Sequence, residues 1–567
     1  MIILGLNHGE INSSAVIVED GKIIAGAPEE RFSRQKKTKA FPQQAINFCL
    51  EYANIQMQDV DFIAQGWNPG ATWHKFEPLL SSVRLRREDY FYTIPDNLFN
   101  LTERAPKDWI LMSFPDDSSI PPIYYIQHHR THSANAFFMS PFEEAAILTC
   151  DWRGENECLT WGTGQADKIS IIAKKNMPHS LGMFYATYTE LLGYRRDNDE
   201  WKVMALSAFD VNCDDYLKKI RSTVNLLDNG HFELDQSYYQ GAIHEQPKLY
   251  TQKLVDLLGG KEGIKGEEDE WSYSVAKAMQ MVFEEILIHS LVNLYKRTKC
   301  KNLVFAGGCA MNSVMNGKIL ENTPFEHLFI SYAPDDLGNS IGAALYVAHC
   351  LRNEKRDYSF KPSYLGPEFS NQEIREALER RGIKYQKMKS SAKTVSELLS
   401  KNEVVAYFNG RMEFGERALG NRSILADPRD PSMKDKINSM IKYRESYRPF
   451  APSVIQEKTS TYFDTPDGYE CPYMEKVAQV KKEYQELLPA ITHIDGSGRL
   501  QTVNKEHNKE FYNIINEFEK ITDFPIVLNT SFNINGEPIV LSPDDALNTF
   551  YNSGLRYLAI GDYLVEK

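Results

Sequence analysis

Apolar residues cluster in three short blocks at the start of the chain, 2–6, 15–18 and 23–25, parted by polar turns such as Glu19-Asp20-Gly21. Short apolar runs punctuated this way predict a meander of strands. Residues 43–53 (QQAINFCLEYA) carry apolar side chains at helical spacing. The longest helical signal spans 271–297, where Val275, Met279, Met281, Val282, Ile286, Ile288, Leu291 and Leu294 follow a helical period. A strand at 303–306 then runs directly into Gly307-Gly308-Cys309-Ala310-Met311-Asn312. A further strand (327–331), a loop with two aspartates and a Gly/Ala-rich helix (338–352) follow. Strand, glycine turn and helix, twice over, is the grammar of an α/β nucleotide-binding fold. Residues 352–368 are polar, carry two prolines and lack periodicity. They predict a boundary between domains 1–355 and 366–567, the second opening its own strand at 404–408. No internal repeat is visible.

At 567 residues the chain exceeds what one core supports, in keeping with two domains. A formal net charge of -13 excludes a general nucleic-acid binder, since phosphate backbones select basic surfaces, yet leaves room for a local basic pocket. No apolar run approaches the ~18 residues of a membrane span, and the first residues lack a leader pattern, so a cytoplasmic protein is expected. The eight cysteines are scattered without a CxxC pair and predict reduced, buried thiols.

His128-His129-Arg130-Thr131-His132 precedes the alanine-containing stretch SANAFF, which should be helical. His128 and His132, four apart, then share one face and can grip one metal ion. Imidazoles with carboxylates suit a divalent ion such as iron or zinc. Asp151, just past a strand at 145–149, and Asp336, opening a glycine-rich helix, are the candidate carboxylates. Gly307-Gly308 sits between strand and helix, where a missing Cβ lets backbone N–H groups approach phosphate, although a tight turn alone also asks for glycine.

Arg411, Arg417, Arg422, Lys442, Arg444 and Arg448 gather within forty residues of an acidic chain, interleaved with glycines 410, 415 and 420. Arginine forks bind phosphate bidentately, so this run predicts an oxyanion site. Downstream, DGSGRLQTV (495–503) reads as a turn and a strand carrying Arg499, and Asn529-Thr530-Ser531 closes the strand 526–528. On their own these polar groups could equally serve turns.

Taken together, the motifs resemble the NodU/CmcH/TobZ O-carbamoyltransferase family over essentially the whole chain. They are PEERFSRQKK (28–37), HHRTHSA (128–134), Asp151 with Gly154-Glu155, WKVMAL (201–206), AGGCAMN (306–312), DLGNSIGAA (336–344), GRMEFGERALGNRSILADPR (410–429), IKYRESYRPFAPS (441–453), DGSGRLQTV (495–503) and LNTSFNINGEPIV (528–540). The resemblance implies an N-terminal domain of the actin/sugar-kinase/Hsp70 (ASKHA) type and a C-terminal YrdC-like domain. It implies that the second forms carbamoyl adenylate from carbamoyl phosphate and ATP, and that the first passes the carbamoyl group to a hydroxyl. By the same resemblance His128, His132, Asp151 and Asp336 would hold the metal, Fe2+ first, with Zn2+ or Mg2+ as alternatives. Gly307, Gly308 and Asn312 would line an adenylate site, and Arg417, Lys442, Arg448, Arg499 and Ser531 would hold carbamoyl phosphate and ATP. Lys36 matches a family lysine near the acceptor. The expected partner is a small-molecule or sugar hydroxyl; a nucleic-acid acceptor, a catalytically inactive regulatory protein and a homodimer are the open alternatives.

The chain departs from the family pattern in places. A His-Asp pair expected before Ser14-Ala15 is Ile11-Asn12 here, with His8 or Glu10 as substitutes. Trp152 and Trp201 stand where glycines are usual, and Glu416 stands for a proline.

Overall fold

The computed structural model describes residues 1–9, 12–68, 113–114, 120–241, 247–445 and 447–567. The chain divides into two compact units, Met1–Glu29 with Lys37–Lys361, and Glu30–Lys36 with Pro362–Lys567. The short excursion Glu30–Lys36 is fixed to the second unit by guanidinium–carbonyl bonds: Arg31 donates to Gly415 at 2.7 Å, Arg34 to Ile539 at 2.7 Å and to Pro538 at 2.8 Å.

The first unit contains two five-stranded mixed sheets. In one, β1 (Ile2–Asn7), β2 (Ser14–Glu19) and β3 (Lys22–Pro28) form an antiparallel meander, as the apolar blocks foretold. The parallel strands β4 (Phe62–Gln65) and β5 (Ile123–Tyr125) extend it on the far side of β1, giving the order β3-β2-β1-β4-β5. In the other, β6 (Glu144–Cys150), β7 (Glu157–Gln165) and β8 (Lys168–Asn176) form the meander. A small hairpin, β9 (Val224–Leu226) with β10 (Phe232–Leu234), intervenes. Then β11 (Asn302–Ala306) and β12 (His327–Phe329) add in parallel on the far side of β6. The order β12-β11-β6-β7-β8 repeats the first topology strand for strand. This duplication exists in topology alone; no sequence repeat betrays it.

The 29-residue helix Glu270–Thr298 matches the longest periodic segment. Asp269 caps it by accepting from Ser272 N, Lys296 and Arg297 sit in its last turn, and Lys299 ends it in a left-handed conformation. The glycine-rich segment expected as one helix over 338–352 is instead a 3-10 turn (Asp336–Gly338), a helix (Asn339–Leu345) and a wider π-helical turn (Tyr346–Leu351). All eight cysteines are free thiols. Among the described residues no helix is long and apolar enough to cross a membrane.

The second unit is built on one nine-stranded sheet, β13 (Gln386–Lys387), β14 (Val405–Phe408), β15 (Arg422–Ala426), β16 (Ala451–Ile455), β17 (Lys476–Gln479), β18 (Ser497–Val503), β19 (Ile526–Ser531), β20 (Tyr557–Ile560) and β21 (Tyr563–Glu566). Its order is β13-β21-β20-β14-β15-β19-β16-β18-β17. Side chains alternate between two cores, as the pleat requires. Ala406 and Phe408, Ile424, and Ile526 and Leu528 enter one; Val405 and Tyr407, Leu425, and Val527 enter the other. Helices Asn371–Arg380 and Pro543–Tyr551 contribute to the first core, Ser391–Leu399 and Lys509–Thr522 to the second. Covered on both faces, the central strands β14 (VAYF) and β20 (YLAI) read as unbroken apolar runs.

A candidate metal centre and two cation clusters

In the first unit, helix His128–Met139 begins at its first candidate ligand. Glu155 positions that end: its carboxylate accepts the backbone N–H of His128 at 3.0 Å and of Asn68 at 2.8 Å. Negative charge at a helix start is favourable, because the first N–H groups have no intrahelical acceptor. One turn on, His132 points its Nε2 to the same spot, 3.0 Å from His128 Nε2.

Two carboxylates complete the set. Asp151 follows β6 and brings Oδ2 to 2.8 Å from His132 Nε2 and 3.3 Å from His128 Nε2. Asp336, opening the 3-10 turn, brings Oδ1 to 3.3 Å and 3.4 Å from the same two atoms. The four ligand atoms all lie within 4.8 Å of one another. Donors about 2.1 Å from a common ion stand roughly 3.0 Å apart in an octahedral arrangement and roughly 3.4 Å apart in a tetrahedral one. The observed spacings span that range. The electrostatics agree: burial disfavours a charged His128, yet Asp336 and Asp151 outweigh it and hold its pKa well above the usual value. Burial likewise opposes the charge of Asp151, but bonds from His128 and His132 push its pKa well below normal. Two carboxylates in a buried site call for a cation, and the quartet could hold a divalent metal.

The intervening His129 does something else. Its Nδ1 meets Thr149 Oγ1 at 2.7 Å and its Nε2 meets the Glu157 carbonyl at 2.9 Å, so both ring nitrogens are spent on structure. Burial drives its pKa well down, keeping it neutral.

The glycine turn after β11 reaches the same place. Gly307 has φ +96°, and a Cβ there would stand 2.2 Å from the Cys150 carbonyl, so only glycine fits beside the strand that delivers Asp151. At Gly308 the nearest neighbour to an added Cβ is Asp151 Oδ1, at 2.9 Å. Asn312 is committed elsewhere: its Oδ1 caps helix Ser313–Asn322 by accepting from Met315 N at 2.9 Å, and its Nδ2 donates to Gln280 at 3.0 Å.

His8 lies outside the quartet. It packs edge-on to Phe41 at 5.2 Å, burial lowers its pKa to about 4, and its Nε2 is buried without a hydrogen-bond partner among the described residues. Asn12, second residue of the replaced pair, donates to Asp335 at 2.9 Å, next to the ligand Asp336. Ile11 and Glu10 fall outside the described residues. The backbone N–H of Trp152 donates to Asp151 Oδ1 at 2.7 Å, and the Trp201 indole donates to the Asn198 carbonyl at 2.8 Å.

The second unit separates the arginines that sequence grouped together. Arg422 is fully buried over the Phe408 ring at 3.7 Å, donating to the carbonyls of Asn409, Gly410, Asn421 and Pro367. Arg411 donates to the carbonyls of Leu365 and Gly366. These two brace loops. Glu413 gathers the same loop: one carboxylate oxygen accepts from the N–H groups of Leu419, Asn421 and Arg422 at 2.9, 2.8 and 3.2 Å.

The remaining cations form two clusters. In one, Lys442 is buried and its ammonium is held by Ser531 and Asn533, with Asn533 Oδ1 at 2.7 Å. Burial, then Arg444, Arg448 and Lys36, push its pKa well below normal. So Lys442, Arg448, Ser531 and the exposed Lys36 come together, and Arg448 also meets Glu445 at 3.2 Å. In the other, Arg499 donates to the Met474 carbonyl at 2.9 Å, and burial followed by Arg417 depresses its pKa. Buried like charges that depress one another are stabilised by an anion.

The chain is thus mixed α/β, with a quartet that could hold a cation in one unit and buried cations crowded together in the other. Residues 2–345 match the family model described as Carbamoyltransferase N-terminus, and residues 396–567 the one described as Carbamoyltransferase C-terminus. The chain belongs to the carbamoyltransferase family and is an enzyme of that kind. It is 35% identical to the uncharacterized protein sll1178 of Synechocystis sp., across 100% of this chain and 96% of that one. To the nodulation protein NolNO of Sinorhizobium fredii it is 34% identical, across 98% of this chain and 79% of that one. A solved structure, component A of (R)-2-hydroxyglutaryl-CoA dehydratase from Acidaminococcus fermentans, aligns with a TM-score of 0.33 and 13% identity over 61% of this chain and 98% of that one, too slight a likeness to bear on the fold.

Proposed function

We propose that this enzyme is an ATP-dependent O-carbamoyltransferase. Its second unit forms carbamoyl adenylate from carbamoyl phosphate and ATP, and its first delivers the carbamoyl group to a hydroxyl of a small molecule or sugar. The observation that carries the reading is the meeting of His128, His132, Asp151 and Asp336 within 4.8 Å, in a chain that both carbamoyltransferase models match. Iron(II) is the ion proposed, zinc the runner-up, since two imidazoles and two carboxylates suit borderline ions.

We infer further that the N-terminal domain, taken as 1–355, is of the ASKHA type; the twice-used strand order of the first unit supports this. The C-terminal domain, taken as 366–567, is read as YrdC-like, supported by its resemblance in motifs and by its buried cations.

The atoms balance as follows. Making carbamoyl adenylate from carbamoyl phosphate and ATP consumes one water and releases one orthophosphate and one pyrophosphate. The acceptor oxygen then bonds to the carbamoyl carbon, its proton is lost, and AMP leaves. Two anions must meet in the first half, so arginine and lysine side chains are needed to offset repulsion and to steady the charge that develops. Arg417, Lys442, Arg448 and Arg499 are proposed for this, with Ser531 holding Lys442 in place. When bound, the metal would supply positive charge beside the adenylate phosphate. Gly308, bare beside Asp151, leaves room for a phosphate there, with Gly307 setting the turn and Asn312 fixing the following helix. Lys36 and the neutral imidazole of His8 are the proposed acceptor-side groups.

The test is pyrophosphate release by the full-length protein given ATP and carbamoyl phosphate. Release that needs both substrates supports the reading. Release with ATP alone, or none with both, rejects it.

A further inference from the structure

Gly66-Trp67-Asn68 belongs to none of the motifs above, yet it holds one member of the histidine–aspartate quartet in place. Strand register is the reason. β4 and β5 run parallel with Gln65 opposite Tyr125, and the Ile126 N–H donates to the Gln65 carbonyl at 2.9 Å. Trp67, two residues past Gln65, and His128, three past Tyr125, therefore leave the sheet side by side. Their rings meet edge to face, with centres 5.4 Å apart and planes at 72°, a favoured aromatic geometry.

His128 needs that contact more than His132 does. His132 lies one turn into its helix, fully buried, its ring hemmed in by His128 at 4.5 Å and His129 at 6.0 Å. His128 is the first residue of the helix and has no preceding turn for its side chain to lie on. The loop 66–68 supplies the support. A Cβ at Gly66 would stand 3.0 Å from Asn339 Cβ, so the glycine lets the loop close on the residue whose amide lies 3.3 Å from His128 Nδ1. The Asn68 and His128 backbone N–H groups share the Glu155 carboxylate, at 2.8 and 3.0 Å. Between them in the chain, the half-buried Trp67 packs on the imidazole itself. Backbone, Nδ1 and ring plane of His128 are each secured. Turning the imidazole would carry Nε2 away from Asp151 and Asp336, each now 3.3 Å from it.

We propose that Trp67 is a positioning residue of the metal centre: its indole sets the plane of the His128 imidazole, so that Nε2 is aimed before an ion arrives. The inference rests on the quartet's being a metal site, and adds to it a side chain that ligates nothing. A ligand ring held in advance gives up less freedom on binding, and outer contacts that orient such rings raise affinity for that reason.

The experiment uses the full-length protein and iron(II) alone, without oxygen, comparing wild type, Trp67→Phe and Trp67→Ala. Competition with a chelator reads affinity, and tryptophan emission reads the ion's arrival beside the indole. Trp67 is one of seven tryptophans, so quenching seen in the wild type and missing from the Phe variant belongs to it. Trp67→Ala should weaken iron binding about 3- to 10-fold, the worth of one edge-to-face aromatic pair. Trp67→Phe keeps a ring against the imidazole and should bind within about 2-fold of wild type. Wild-type affinity in the Ala variant, or undiminished quenching in the Phe variant, overturns the inference. Equal loss of affinity in both variants, with lower melting temperatures in the absence of iron, also overturns it, because Trp67 then supports only the fold. A wild type that takes up no iron would instead sink the metal reading, and the role of Trp67 with it.

Discussion

Asn339 controls which nitrogen of His128 is free to bind an ion. The two terminal atoms of its fully buried amide lie 2.7 Å from Thr131 Oγ1 and 3.3 Å from His128 Nδ1. Thr131 Oγ1 also sits 2.6 Å from the His128 carbonyl. The hydroxyl has one proton, so two proton arrangements compete. In one, Thr131 donates to Asn339, the amide nitrogen faces Nδ1, and the His128 proton sits on Nε2. In the other, Thr131 donates to the His128 carbonyl and accepts from the amide nitrogen. The amide oxygen then takes the proton of Nδ1, leaving the Nε2 lone pair for an ion; amide orientation follows from such bonding. Metal binding selects the second arrangement.

Replacing Asn339 with alanine strands Nδ1–H in a buried site, at about 1–3 kcal/mol in stability. Losing such an outer partner should weaken ion affinity about 10- to 100-fold. Asn339→Asp offers Nδ1–H a stronger acceptor and should bind at least as tightly as wild type. The assay is competition for iron(II) or zinc against a chelator of known affinity, read as the chelator concentration that strips half the metal. Wild-type retention by Asn339→Ala, or weaker retention by the Asp variant than by Ala, would falsify the reasoning.

Two further outcomes test the surrounding structure. Burial raises Glu200 to about 7, from an ordinary value of 4.5, so the folded state binds its proton more tightly than the unfolded chain. Its contribution is fully present below pH 4.5 and is lost as pH rises through 7; Glu200→Gln should therefore raise the melting temperature at pH 8, by no more than about 3 kcal/mol in stability, and leave it unchanged near pH 4. Equal shifts at both pH values would count against it. Gly420 has φ +114°, and a Cβ there would stand 2.3 Å from Phe511 Cδ1, so Gly420→Ala should cost about 2–4 kcal/mol, seen as a lower urea midpoint. An unchanged midpoint would show that the loop and Phe511 relax freely.

The sequence by itself carried whatever depends on neighbours along the chain. His128 and His132 sit four apart on a helix, and that spacing alone aims both imidazoles to one side. The meander β1–β3, the long helix Glu270–Thr298 and the glycine turn after β11 are likewise local patterns of apolar period and missing Cβ. Asp151 and Asp336 could be suspected as residues at element ends, but their meeting depends on the sheet order that sets β6 beside β11 and on the 3-10 turn that follows β12. Tertiary structure alone also divided the arginines. Arg422 and Arg444 look alike in sequence, each a few residues from aromatic and polar neighbours. One is folded into a ring of carbonyls and the other leaves Nε and Nη2 without an acceptor among the described residues, because hydrogen-bond partners come from distant chain segments. The same reason hid the excursion Glu30–Lys36 and the duplicated sheet topology: both are properties of which strands and loops become neighbours, and strand order is not written in any local period.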